Sequence, residues 1–364
     1  MKILNISLDA SILKEGSRAR KRHLGYARLL EELHILVLYP GKEQVVGNNI
    51  WIYSVCGNKF SRFFAAYQKA KRIIRNRQIE FISSQDPFFA GLIGWLLKRK
   101  FGLPLQIQVH TDFLSQYFWE ESWTNRIRVS LARFLVRHAD GIRVVSERIK
   151  RSLIRIGVDE GRILVMPIYS DNSEQITVSN NRGGRENNKF IFLTIGRLSR
   201  EKNIEMQIAA MAEIVKVHPR TELHIVGDGP MKKKLEAGVK NLELEEKIKF
   251  FGWQDNLAEF YRNADVFLLT SNYEGWGMVV VEAAACGLPI IMTDVGLAGE
   301  IIKNNENGLV VPVGGKNQLR EAMLKLSEND NFRKELGQKA KQVAGKLPNR
   351  EEYLQTYKKA FDLP

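Results

Sequence analysis

Along the 364-residue chain, short runs of apolar and β-branched residues alternate with longer stretches whose apolar positions recur every three to four residues. That alternation predicts parallel strands joined by covering helices. In the first half the strand-like runs are KILNISL (2–8), HILVLY (34–39), IWIYSV (50–55), EFISS (80–84), LQIQV (105–109), GIRVVS (141–146) and RILVMP (162–167), with helix-like segments such as 19–33 and 123–138 between them. The second half restarts the pattern with FIFLTIG (190–196), ELHIVG (222–227), KIKFFG (247–252), DVFLLT (265–270), LPIIMT (288–293) and GLVVPV (308–313). Helical segments at 315–328, 330–345 and 350–361 follow, the last with Tyr353, Leu354, Tyr357 and Phe361 at helical spacing.

Between the halves, residues 169–189 are polar, rich in Asn, Ser and Gly, and nearly free of apolar periodicity, as an exposed connection requires. The expected class is therefore α/β, with two doubly wound, Rossmann-like domains: residues 1–168, a linker at 169–189, and residues 190–345. Residues 346–364 form a terminal helix expected to pack back on the first domain. Two such sheets facing each other place a cleft at the carboxyl ends of their strands.

Charge separates the halves more sharply than the apolar pattern does. Of the formal net charge of +14, residues 1–168 carry all of it, with 28 Lys and Arg against 14 Asp and Glu, while the remainder balances at 27 against 27. A basic first domain predicts an anionic partner there. Two segments, KFSRFFAAYQKAKRIIRNR (59–77) and SWTNRIRVSLARFLVRH (122–138), combine cations with aromatic and aliphatic residues at helical spacing, a composition suited to a membrane interface as well as to an ordinary half-buried helix. The longest apolar stretch, PFFAGLIGWLL (87–97), is about half of the roughly 20 residues that cross a bilayer. The amino terminus reads as a first strand rather than a signal peptide. Cys56 and Cys286 fall in different halves without close Cys or His companions, which points to reduced thiols and a cytoplasmic location.

Candidate chemistry concentrates in the second half. TIGRLSREKNIEMQIAAM (194–211) is a strand, a glycine, a loop with Arg197 and Lys202, and a helix, an arrangement that favours a diphosphate. HIVGDGP (224–230) places Gly227 and Gly229 in a turn after a strand. SNYEGWGMVVVEAAACGLPIIM (271–292) sets Glu274 in a loop with Gly275, Trp276 and Gly277, then runs through Met278 and Val279 into a helix carrying Glu282. Carboxylates among apolar neighbours need polar partners, and vicinal hydroxyls of a ribose and a hexose would supply them.

GRLSREKN, VGDGP, FFGW, EGWGMVVVEAAACGLPII and NGLVVP, in this order, resemble the nucleotide-sugar-binding domain of family 4 retaining glycosyltransferases, which have the two-domain GT-B fold and an E-x7-E motif matched by Glu274 and Glu282. The resemblance covers about residues 190–312. It implies that Arg197 and Lys202 neutralise the donor diphosphate, that Glu282 holds the ribose and Glu274 the transferred sugar, and that Gly227 and backbone amides of Gly275, Trp276, Gly277, Met278 and Val279 line the donor. His110, at the end of LQIQVH, matches the family's cleft histidine and joins Glu274, Arg197 and Lys202 as a catalytic candidate. Gly16 and Ser17 match the family's loop after the first strand only loosely. They are candidates for contact with the acceptor or the diphosphate.

The resemblance further implies front-face transfer with retention, from a UDP- or GDP-linked sugar to a glycan or lipid-linked saccharide, at the inner face of the cell membrane. No D-x-D pair occurs, so metal-independent transfer without a cofactor is expected, and no nucleic-acid module is recognisable. The rival expectations are a GT-B-like sugar-nucleotide epimerase, a phosphorylase, or a basic nucleic-acid-binding protein.

Overall fold

The computed structural model describes residues 1–169 and 189–361. Nearly all of the expected linker, residues 170–188, lies outside them. The chain divides into two units: residues 1–167 together with 349–364, and residues 168–348.

The first unit is built on β1 (Lys2–Ser7), β2 (Glu32–Val37), β3 (Gln44–Val46), β4 (Ile50–Ser54), β5 (Phe81–Ser84), β6 (Leu105–Val109), β7 (Gly141–Val144) and β8 (Ile163–Val165). Their order in the sheet is β3-β4-β2-β1-β5-β6-β7-β8. All neighbours run parallel except β3, which returns antiparallel on β4. Helices α1 (Arg18–Ala27), α2 (Lys59–Arg77), α3 (Phe89–Phe101), α4 (Gln116–Glu121), α5 (Trp123–His138) and α6 (Glu147–Arg155) connect the strands. Ser17, Ser122 and Ser146 each accept a backbone N–H at the start of α1, α5 and α6, satisfying donors that a helix leaves orphaned.

The helix expected over 19–33 stops at Ala27. The amides of Leu29 and Leu30 turn back to the carbonyls of Tyr26 and Ala27, and Asn49 Nδ2 donates to the carbonyls of Ala27 and Leu30 at 2.8 and 3.2 Å. From Glu32 onward pairing with Lys2 of β1 takes the chain, so sheet formation overrides the local helical preference of Leu-Leu-Glu-Glu. The edge strand β3 is half-exposed and carries no alternation by which the sequence could announce it.

The helix Arg350–Lys359 belongs to this unit. Asn349 and Glu352 close a capping box at its start. Tyr357 stacks on Tyr26 of α1 at 3.8 Å, and Phe361 meets Phe81 of β5 edge-on at 5.3 Å.

The second unit has a wholly parallel sheet of β9 (Phe190–Ile195), β10 (Thr221–Val226), β11 (Ile248–Phe250), β12 (Val266–Leu269), β13 (Ile290–Thr293) and β14 (Leu309–Val311), in the order β11-β10-β9-β12-β13-β14. Phe192, Leu223, Ile225, Val266, Leu268 and Ile291 form its core with Met211 and Ile214 of the helix Ile204–Val217. Strands buried on both faces read as continuous apolar runs, which is why they were visible in the sequence. Among the described residues no helix is long and apolar enough to cross a membrane.

Candidate active site

In the second unit, the chain leaves the carboxyl end of β9 through Gly196 and a 3-10 turn, Arg200–Lys202, then enters the helix Ile204–Val217 through Asn203 in the left-handed conformation. The loop after β12 is laced to it. Thr270 Oγ1 lies 3.1 Å from the carbonyl oxygens of both Lys202 and Asn203, and Gln207 Nε2 donates to Thr270 Oγ1 at 2.8 Å. The amide of Asn272 donates to the carbonyl of Glu201 at 2.7 Å. This lacing sets Lys202 Nζ against Glu274 Oε1, an oxygen that also accepts from Ser271 Oγ at 2.8 Å. The pair is partly open to solvent, with side-chain exposures of 23% and 14%.

Arg197, with a side chain 71% exposed, donates to Glu201 at 2.9 Å. Burial pushes the Glu201 carboxyl up, but its bonds from Ser199 and Arg197 outweigh this and hold it below the usual range. Glu282 sits in the second turn of the helix Met278–Ala285, which starts at Gly277 with φ of 102°. It is 1% exposed and accepts from the Tyr261 hydroxyl at 2.9 Å. The neighbouring Cys286 thiol is pushed up to about 12 by burial and by the charge of Glu282, which makes it an inert packing residue.

Gly275 and Trp276 are buried, whereas Gly277, Met278 and Val279 are half-buried. The Trp276 side chain packs inside the unit, so its bulk is taken up by the core. Gly227 has a packing reason of its own: a Cβ there would stand 1.9 Å from the carbonyl oxygen of Gly196. Only glycine lets the ends of β9 and β10 pass so closely.

In the first unit, His110 follows β6. Its Nε2 lies 3.1 Å from Gln108 Oε1, and its buried Nδ1 has no partner among the described residues. Burial lowers the imidazole to about 3, with the charges of Arg143 and Arg22 adding to the effect; the ring is neutral. Ser17 accepts from the amide of Arg20 and donates to the carbonyl of Ser11 at 2.6 Å, so its hydroxyl serves the turn into α1. Gly16 has φ of 74° with open space at its Cβ position.

Two family models match the chain: a glycosyl transferase 4-like domain over residues 26–168 and the glycosyl transferases group 1 over residues 176–343. An uncharacterised glycosyltransferase of Methanocaldococcus jannaschii is 30% identical over 331 residues, covering 87% of this chain and 86% of that protein. The chain belongs to the family 4 type of glycosyltransferases.

This glycosyltransferase is also 25% identical to N-acetyl-alpha-D-glucosaminyl L-malate synthase of Bacillus anthracis over 332 residues, 85% of this chain and 84% of that one. Its fold is similar to that of sucrose-phosphate synthase from Thermosynechococcus elongatus, with a TM-score of 0.81 at 22% identity over 100% of this chain and 99% of the other. Anabaena HepE in complex with UDP and glucose gives a TM-score of 0.77 at 18% identity, with the same coverage of each chain. The two α/β units with their parallel sheets are those of the GT-B fold.

Several polar partners in this glycosyltransferase escaped the sequence reading. Ser271 opens the segment 271–292, but Glu201 and Tyr261 contact Arg197 and Glu282 through loop and helix geometry that no spacing announces. Gly296, whose Cβ would lie 2.5 Å from the Trp276 carbonyl oxygen and 3.0 Å from Glu274 Cβ, lets the loop after β13 pass Glu274. In the first unit, Gln106, Gln108 and Arg143 are polar residues inside fully buried strands. That interruption of an apolar run was the available signal.

Proposed function

We propose that this glycosyltransferase moves a sugar from a nucleoside diphosphate sugar to a hydroxyl of a glycan acceptor, with retention at the anomeric carbon. The carrying observation is the Lys202–Glu274 pair, set side by side by laced loops beyond β9 and β12. Both members exchange partners when a donor arrives: Lys202 turns to the diphosphate and Glu274 to hydroxyls of the sugar. Arg197 leaves Glu201 for the diphosphate, and Glu282 meets the ribose hydroxyls. The complex of HepE, of similar fold, with UDP and glucose supports such a donor.

As the bond from the anomeric carbon to phosphate breaks through an oxocarbenium-like state, negative charge grows on the leaving oxygen. Lys202 and Arg197, once turned to the diphosphate, stabilise it, and no divalent metal is required. The acceptor oxygen bonds to the same face, and its proton passes to the leaving phosphate. His110 of the first unit is read as a substrate-contacting group with a neutral ring.

The acceptor is a lipid-linked saccharide reached at an anionic membrane surface. Support comes from Trp123, 71% exposed, with exposed Ile127 one turn further along α5 and exposed Trp119 on α4, accompanied by Arg126 over the Trp119 ring. Among the curated relatives are alpha-monoglucosyldiacylglycerol synthases.

The test is a screen of nucleotide sugars for thermal stabilisation, followed by transfer assays in EDTA. A donor at 100 times its Kd adds about 2.7 kcal/mol. No stabilisation by any UDP- or GDP-linked sugar sinks the proposal.

A further inference from the structure

Arg143 of β7 is 2% exposed, and among the described residues no carboxylate pairs with it. Its Nη1 donates to Gln108 Oε1 at 3.1 Å, its Nη2 donates to the Tyr353 hydroxyl at 2.8 Å, and the guanidinium lies over the Tyr357 ring at 5.4 Å. Both tyrosines belong to the helix Arg350–Lys359. A buried cation is costly, so its consequences for its neighbours matter.

A guanidinium only donates. The Gln108 atom facing it is therefore the amide oxygen, and Gln108 Nε2 donates to Ser83 Oγ at 3.0 Å. That same oxygen faces His110 Nε2, so Nε2 must carry the ring proton. The neutral ring then presents a bare lone pair at Nδ1, the buried atom without a partner. His23 shows the opposite case: its Nδ1 donates to the carbonyl of Ala19 at 2.8 Å, and Gln85 Nε2 donates to its Nε2 at 2.9 Å. A backbone carbonyl fixes His23, whereas side chains alone fix His110.

We propose that Arg143 and Tyr353 are positioning residues for transfer: through Gln108 they hold His110 as the Nε2–H tautomer, leaving Nδ1 to accept a hydrogen bond from a substrate hydroxyl. This rests on the proposed reading of His110 as a substrate-contacting group. The helix Arg350–Lys359 thus sets the protonation pattern of a site residue through Gln108.

The test reads the His110 ring by nitrogen NMR of ring-labelled protein, with transfer kinetics alongside. Wild type is expected as Nε2–H. In Arg143→Met the Gln108 oxygen loses the donor that fixes it and the amide keeps its bond to Ser83 Oγ, so the ring shifts in part toward Nδ1–H and kcat/KM falls at least tenfold, while donor-induced thermal stabilisation persists; Arg143→Lys restores both in part. Should Arg143→Met not fold, Tyr353→Phe, which frees one end of the guanidinium, is expected to move tautomer and kcat/KM the same way to a lesser extent. An Nδ1–H ring in wild type overturns the proposal, as does a change in tautomer or turnover without the other. The wild-type tautomer needs no donor, so a missing donor response counts against the proposed function alone.

Discussion

The two units hold their inner cations in opposite ways. In the second, Lys202 sits against a carboxylate at a partly exposed position. In the first, Arg143 is sealed in and held by an amide oxygen and a hydroxyl. An ion pair near solvent contributes little to stability, about 0–1 kcal/mol, and so is readily broken in favour of a ligand. A guanidinium locked among neutral acceptors cannot leave without stranding its charge. The difference separates a charge kept for exchange from a charge kept for orientation.

The largest effect expected from breaking this contrast lies in the second unit. Replacing Arg197 and Lys202 together with Ala lowers kcat by more than about a thousandfold, since removal of one such electrostatic donor costs 10²–10³; steady-state kinetics on a folded double variant checks it, and near-normal turnover removes both residues from the chemistry. Next is Gln108→Leu, which leaves Arg143 half-unpaired and destabilises the first unit by about 3 kcal/mol, whereas Glu274→Gln keeps stability within about 1 kcal/mol while lowering kcat. Denaturant titration of each variant measures the asymmetry, and equal losses would erase it.

Acid sharpens the same comparison. His23 and His110 are lowered to about 4 and about 3, chiefly by burial. Unfolded chain then binds more protons than native chain below pH 6.5, so stability falls as the pH drops from 6.5 toward 3, by about 2 kcal/mol for each histidine at pH 5. Asp86, raised to about 6 by burial, acts in the opposite sense and returns about 1 kcal/mol over the same interval. Hydrogen exchange at pH 7 and pH 5 should show the loss confined to the first unit. The smallest effect is at the surface: Trp123→Ser leaves stability within about 0.5 kcal/mol and weakens binding to anionic vesicles several-fold in a sedimentation assay. Unchanged binding takes Trp123 out of the membrane face.

Fold legibility followed burial. Strands covered on both faces, such as FIFLTI and VFLL, stood out as nearly continuous apolar runs, and the helix carrying Glu282 forms over Met278–Ala285. The edge strand β3 and the end of α1 did not stand out, because long-range pairing decides both. At the site, the segments carrying Arg197, Lys202, Glu274 and Glu282 were legible from glycines and charges at strand ends. Their partners were not, because Tyr261 reaches Glu282 from another helix and Gly296 is demanded by a backbone crossing. Gln108 and Arg143 were visible as oddities without a visible reason, which only the placement of Tyr353 supplies.

The helix Arg350–Lys359 completes a unit that the chain left more than 180 residues earlier. During synthesis, residues 168–348 leave the ribosome as a continuous folding unit while Arg143 still lacks Tyr353 and Gln106 still lacks the Ala360 carbonyl to which its amide donates. The unit that starts first is finished second. A nascent chain stalled before residue 349 therefore carries a closed second unit and a first unit with a buried cation half-held, the state in which quality control would meet this enzyme.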